Sequence, residues 1–202
     1  MKIIKYFFFG FWLLHGLTVL SQDNEFHFYA ADTVNSKIYW KCDKHYGIFK
    51  LEKGGFVTYK NKIVDGLFFI NLHSLKDLDM DEKTYGTAVL ILENTLKNEF
   101  LEVNKYPVSY FRLEEIHPVK DNLYHVKGDF TLHGITNCIE FDAYVDFEGD
   151  KIHFVSKPFI IDRSEWGIYR MSPTRFYSDD ENNWTVPDEV EIKIDIIAVK
   201  EE

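Results

Sequence analysis

The chain has 202 residues, 46% of them hydrophobic, and a formal net charge of -10. This length suits one domain with a sizeable core, and its two cysteines are too few for a small disulfide-stapled domain. The acidic balance argues against nucleic acid as a partner, because binding to phosphate backbones requires clustered basic residues.

The first 21 residues have the pattern of a cleaved export signal. Two lysines precede an apolar run of about fourteen residues, and Val19 and Ser21 are the small residues that a signal peptidase favours. The run is shorter than the roughly 20 residues that span a bilayer, so no integral membrane segment is expected. We predict a signal peptide at 1–21, a single domain at 22–202, and an exported protein that is periplasmic or secreted.

Alternation of apolar and polar residues predicts the first four strands of the domain. A Gly54-Gly55 turn is expected before the third strand, and the strands lie at 34–40, 47–51, 56–60 and 63–74. The apolar face of the fourth strand carries Val64, Gly66, Phe68, Ile70 and Leu72.

One segment has helical rather than strand spacing. Apolar side chains recur every three or four residues at Val89, Leu92, Leu96 and Phe100. This spacing predicts a helix over 85–98. A single helix among many strands, without alternation of strand and helix, favours an antiparallel barrel or sandwich over a nucleotide-binding sheet.

The most regular pattern is a hairpin at 124–147, with a His133-Gly134 turn and one apolar face. That face must cover a core or a cavity, because strand side chains alternate between the two sides of a sheet. Further strands are predicted at 109–116, 152–161 and 190–199, which brings the total to about eight. Cys42 and Cys138 follow opposite parities within their strands, so we expect two separate thiols, although export would permit a disulfide.

Three sequence blocks resemble the signature blocks of the YceI-like family. They read KNEFLEVNKYP at 97–107, GDFTLHGIT at 128–136 and DRSEWGI at 162–168, and their order and separation are also similar. The resemblance implies an all-β fold, an antiparallel eight-stranded lipocalin-like barrel with one α-helix. It also implies an apolar interior that holds an isoprenoid or fatty-chain lipid, in exported bacterial proteins without an established catalytic activity.

The chain departs from that family after the third block. Tyr169 is followed by Arg170, Met171, Ser172 and Pro173, where the most similar branch has a glycine-containing stretch. The loop concerned is expected near the rim of the barrel.

The predicted ligand site combines an apolar slot with an arginine-rich rim. Gly66, Gly128 and Ala143 lie among larger apolar residues, and their missing side chains would leave room for a hydrocarbon chain. The alternative is that the aromatic residues fill the core. At the rim, guanidinium groups suit phosphate or carboxylate oxygens of a headgroup, unless neighbouring acidic residues neutralise them at the surface. The predicted ligand-binding residues are Phe49, Gly66, Phe68, Ile70, Val126, Gly128, Phe130, Phe141, Ala143, Phe159, Arg163, Trp166, Arg170 and Arg175.

The sequence contains no recognisable catalytic motif or metal site. His117, His125 and His133 lack the close spacing of metal ligands on one helix, and no nucleophile elbow or phosphate loop occurs. No cofactor is expected other than a bound lipid.

We therefore predict a lipid-binding protein that transports or sequesters an isoprenoid or fatty-chain lipid, and that is not an enzyme. Two alternatives stay open. One is a filled β-barrel that serves as an interaction or structural module; the other is an enzyme acting on isoprenoid lipids, which would need a polar group inside the channel. A homodimer is also left open.

Overall fold

The computed structural model describes residues 25–175 and 185–201. The predicted signal peptide lies outside this part of the chain. Within it there are ten strands: β1 (Phe26–Ala31), β2 (Lys37–Cys42), β3 (His45–Tyr59), β4 (Lys62–Asp77), β5 (Val108–Lys120), β6 (Leu123–Leu132), β7 (Ile135–Glu148), β8 (Lys151–Ser156), β9 (Phe159–Asp162) and β10 (Glu189–Lys200). A single α-helix, α1, spans Glu82–Thr95 and continues through a π-helical turn at Leu96–Phe100.

The strands close into an antiparallel ring of eight. Consecutive strands pair from β2 through to β8, and β10 pairs with both β8 and β2. β1 follows the same line as β2, because both pair with β3 and β10 at different heights. β9 similarly extends the line of β8 along β10. The predicted all-β, eight-stranded lipocalin-like fold with one helix is confirmed.

The first strands differ from the sequence analysis in two ways. The pattern does not predict β1, because only His27 interrupts its apolar residues and the alternation is weak. The predicted Gly54-Gly55 turn is wrong, since both glycines lie inside the continuous strand β3. They permit a close approach instead: a Cβ at Gly54 would lie 2.7 Å from Phe68 Cα, and one at Gly55 would lie 2.7 Å from Phe28 Cζ.

The helix forms close to its predicted place. It begins earlier than expected because Asp81 caps it, with the Asp81 side chain accepting a hydrogen bond from the Lys83 backbone N–H at 3.2 Å. Val89 and Phe100 on the predicted apolar face are buried. In the described part of the chain, no helix combines the length and the hydropathy that crossing a membrane would require.

The two ends of the ring are packed differently. At the end of β1 and of the β7–β8 turn, the interior is filled by Tyr29, Ile63, Val145, Ile152 and Ala198, all nearly inaccessible to solvent. At the other end the helix packs against β4, and the inward side chains surround open space. Cys42 and Cys138 are separate free thiols, as predicted.

Candidate functional site

An apolar cavity of about 360 Å³ lies inside the ring at the helical end. Its volume falls within the range of about 300–1,000 Å³ that is usual for small-molecule sites. Strands β2 to β10 and the helix all contribute to the wall, and almost every side chain on it is apolar. Several inward residues keep solvent-accessible surface because they face this space, among them Phe49, Phe130, Ile139, Phe159, Val190 and Ile192.

Aromatic rings form a large part of the wall. Phe141 stacks on Phe159 with ring centroids 4.5 Å apart and an interplanar angle of 8°. Deeper in the barrel, the Phe56 ring lies 4.8 Å from Phe68 and 5.3 Å from Phe154. Packed rings of this kind give the cavity a stiff apolar wall.

The small residues do not create this space as the sequence had suggested. A Cβ at Gly128 would lie 2.4 Å from Phe111 Cζ, and one at Gly66 would lie 3.1 Å from Phe56 Cδ1. Neighbouring aromatic rings therefore occupy the volume above both glycines, as the alternative interpretation had it. Ala143 is fully buried but is not on the wall.

The structure brings eight of the fourteen predicted ligand-binding residues onto the cavity wall. They are Phe49, Phe68, Ile70, Val126, Phe130, Phe141, Phe159 and Arg163. Those that do not line it are Gly66, Gly128, Ala143, Trp166, Arg170 and Arg175. Whether any of these residues contacts a ligand stays a prediction.

Arg163 is the buried cation of the wall. Its guanidinium forms an ion pair with Asp188 at 3.0 Å and donates to the carbonyls of Pro187, Ile168 and Val186 at 3.1, 2.7 and 2.9 Å. Burial lowers the pKa of Arg163, and the Asp188 carboxylate opposes that change. Its contacts fasten the segment before β10 to the wall, which differs from both predicted roles, a headgroup clamp and a surface ion pair.

The other rim residues point to separate partners. Arg170 pairs with Glu99, and the Arg175 guanidinium lies 4.3 Å from the centre of the Tyr169 ring. Trp166 is buried, and its indole N–H donates to the Phe130 carbonyl at 3.0 Å. The three arginines therefore do not converge on one point, although they are close in sequence.

A polar group on the cavity wall has no partner. The indole N–H of Trp40 is buried and lacks a hydrogen-bond acceptor within residues 25–175 and 185–201. A buried donor without an acceptor is costly, so this indole is a point of strain in the wall. The sequence offered no signal for it beyond the inward parity of Trp40.

Sequence reasoning also missed a cluster of three side chains beside the cavity. His45, at the start of β3, lies on the wall, and its Nδ1 is 3.1 Å from Asp79 Oδ2 and 3.9 Å from Asp77 Oδ2. The pairing of β3 with β4 sets Gly47 opposite Asp77 and so joins residues that are about thirty positions apart in the sequence. The only sequence signal was an Asp-x-Asp pair at the end of a long apolar strand.

The comparisons with known proteins give a family from a family model and a fold from solved structures. A family model described as a YceI-like domain matches residues 29–198. The crystal structure of BcnA from Burkholderia cenocepacia is similar at 20% identity and a TM-score of 0.60, over 84% of this chain and 99% of that one. A polyisoprenoid binding domain from Saccharophagus degradans is similar at 13% identity and a TM-score of 0.61, over 86% of this chain and 98% of that one. None of the curated proteins matches the chain.

Proposed function

Because the chain belongs to the YceI-like family, we propose that it is a lipid-binding protein that holds an isoprenoid or fatty-chain tail inside its barrel. The observation that carries the proposal is the apolar cavity of about 360 Å³ at the helical end of the ring. A filled barrel acting only as a structural module would have its interior packed along the whole ring.

The cavity offers a hydrocarbon chain a large driving force. Removing one methylene group from water contributes about 0.8 kcal/mol, so a buried tail gains affinity without a specific polar contact. The wall supplies the apolar surface that this transfer requires, with rings such as Phe49, Phe141 and Phe159 in contact distance of the space. The binding of a polyisoprenoid by a domain of the same fold supports this choice of ligand class.

We propose that the polar end of the lipid lies near Trp40 on the cavity wall. The headgroup would lie near Trp40, because this side chain is on the cavity wall and its indole N–H lacks an acceptor within the described residues. A hydrogen bond to a headgroup oxygen would require the indole to turn its N–H toward the cavity. The guanidinium of Arg163 lies on the same wall, and its bonds to three carbonyls keep that side of the rim rigid.

The cellular role that we propose is transport or sequestration of the lipid after export. The support for export is the signal-peptide pattern at 1–21. We propose a binding protein rather than an enzyme. The buried Ser109 hydroxyl on the wall donates to the Thr131 carbonyl at 2.5 Å, so its proton is already held by the backbone.

The test is to identify what the purified protein retains. The protein is expressed with its native leader and purified without detergent, an organic extract is analysed by mass spectrometry, and a fluorescent fatty acid or polyprenol is titrated into the delipidated protein. We expect one long-chain lipid per molecule and saturable probe binding. A clean extract together with no probe binding would contradict lipid binding and favour the structural module.

A further inference from the structure

The cluster of His45, Asp77 and Asp79 has the composition of a metal site. The three side chains offer one imidazole nitrogen and two carboxylate oxygens, all within 4.8 Å of one another. They are held by different elements, since His45 begins β3, Asp77 ends β4 and Asp79 follows two residues later. The pairing of β3 with β4 therefore sets the separation of His45 and Asp77, whereas Asp79 lies in the bend that follows β4.

Asp77 provides a second and independent observation. Its side chain is fully buried, and its Oδ2 has no hydrogen-bond partner within the described residues. That oxygen is aimed at the cluster, 3.9 Å from His45 Nδ1. The other carboxylate oxygen accepts from the Met80 backbone N–H at 3.2 Å, which holds the orientation. A buried carboxylate oxygen without a partner is costly, so the arrangement favours either a bound cation or a proton at this oxygen.

Nearby lysines do not supply that charge in the structure. Lys76 pairs with Glu82 and Lys97 pairs with Glu93, at 3.4 and 3.3 Å. Glu93 is engaged in turn with the Asp77 backbone N–H, which donates to Glu93 Oε1 at 3.0 Å. Two carboxylates therefore face one imidazole.

We propose that His45 Nδ1 and the carboxylates of Asp77 and Asp79 bind a divalent first-row transition metal ion such as Zn²⁺. Zinc bonds to nitrogen and oxygen ligands of about 2.0–2.2 Å place tetrahedral ligand atoms about 3.3–3.6 Å apart. The observed separations of 3.1 and 3.9 Å bracket that spacing, so small side-chain rotations would complete the site. The imidazole favours zinc and its neighbours over Mg²⁺ or Ca²⁺, which prefer oxygen ligands.

Such an ion would have a consequence for the cavity. Three protein ligands leave a fourth position open, as in catalytic zinc sites, and water or another donor would occupy it. His45 is on the cavity wall, so the ion would place a positive charge at the edge of an otherwise apolar space. A proton bound between the two aspartates is the competing occupant, because burial and the nearby Asp79 raise the pKa of Asp77 to about 6.

The test uses untagged protein stripped with a chelator and titrated with Zn²⁺ by calorimetry and with Co²⁺ by visible absorption. We expect one ion per chain, a cobalt spectrum with nitrogen and oxygen ligands, and a rise in melting temperature on binding. Asp77→Asn and His45→Gln should each weaken binding at least tenfold. His153→Gln is the matched control, because His153 lies 2.9 Å from Asp195 in a surface pair for which the described residues offer no third ligand.

The melting temperature of Asp77→Asn also distinguishes metal binding by Asp77 from a purely structural role of this residue. Without metal this variant should melt at a higher temperature than the parent protein, because it removes a buried charge; with Zn²⁺ the order should reverse. If Asp77→Asn does not fold, Asp79→Asn is measured in its place, because the Asp79 side chain is partly exposed. Absence of stoichiometric binding, or equal binding by the parent protein and both ligand variants, would overturn the proposal and leave only a proton at the site.

Discussion

The buried ion pair of Arg163 and Asp188 stabilises the cavity wall. Arg163 is 5% exposed, and Asp188, its partner, also accepts hydrogen bonds from the Ser172 and Thr174 hydroxyls at 2.7 and 2.9 Å. Because Arg163 and Asp188 are both buried and form an ion pair, removal of one leaves the charge of the other without compensation.

We predict that Arg163→Met lowers the free energy of unfolding by about 3–5 kcal/mol, since the variant leaves Asp188 buried and unpaired. Urea unfolding followed by circular dichroism measures the loss. Arg170→Met is the control: the Arg170 pair with Glu99 is half-exposed, so its loss should cost less than about 1 kcal/mol. Similar losses for the two variants would contradict a structural role for Arg163.

The shifted pKa values of Asp77 and Asp79 should make the stability of the metal-free protein depend on pH. Burial raises the pKa of Asp77 from 3.8 to about 6, and Asp79 adds to that shift. Burial alone would also raise the pKa of Asp79, but the neighbouring Asp77 and His45 side chains lower it. The folded state thus binds the Asp77 proton more tightly than the unfolded state, and this stabilisation is lost as the pH rises from about 4 through 6.

Relative to Asp77→Asn, the free energy of unfolding of the parent protein should therefore fall by about 1–2 kcal/mol between pH 4 and 7. Urea unfolding at several pH values, with chelator present, measures the difference between the two proteins. A difference that stays constant over this range would show that Asp77 is not perturbed.

Among the elements, the β6–β7 hairpin was the most predictable. Its strands, Leu123–Leu132 and Ile135–Glu148, match the predicted 124–147 because alternation and a His-Gly turn are local properties. The glycines were less predictable, since their role depends on what packs above them from another strand. Gly54 and Gly55 suggested a turn but lie within β3, where the rings of Phe68 and Phe28 approach the backbone.

Two glycine-to-alanine changes test this distinction. A Cβ at Gly128 would lie 2.3 Å from the Arg112 carbonyl oxygen, so Gly128→Ala should cost about 1–3 kcal/mol through overpacking. Gly86 lies inside α1 with nothing within 4 Å of a Cβ, so Gly86→Ala should stabilise by about 0.5–1 kcal/mol. Thermal unfolding measures both, and a neutral Gly128→Ala would contradict the packing of β5 against β6.

At the scale of the whole molecule, the ring has one filled end and one hollow end. The filled end gives the fold its core, and the hollow end leaves an apolar cavity under the helix. Side chains that line a hollow apolar interior lack the van der Waals contacts that a packed core provides. Such a cavity is typical of a site that receives a ligand.

We predict that Ile192→Trp reduces lipid retention several-fold while the protein still folds. Ile192 lies on β10, faces the cavity and keeps accessible surface, so a larger side chain would extend into the open volume. Ile197→Trp is the matched control, because it is the same change on the outer face of the same strand. Mass spectrometry of extracts from both variants gives the comparison, and equal lipid content would place the tail elsewhere.

The local pattern of the chain was sufficient for most of its strands, its helix and its family, because side-chain periodicity and short sequence blocks are properties of neighbouring residues. The hollow interior, the pairing of Arg163 with Asp188 and the meeting of His45 with Asp77 and Asp79 were decided only by the folded ring. Each depends on side chains that are distant in the sequence and share one volume, and no local period specifies how completely they fill it.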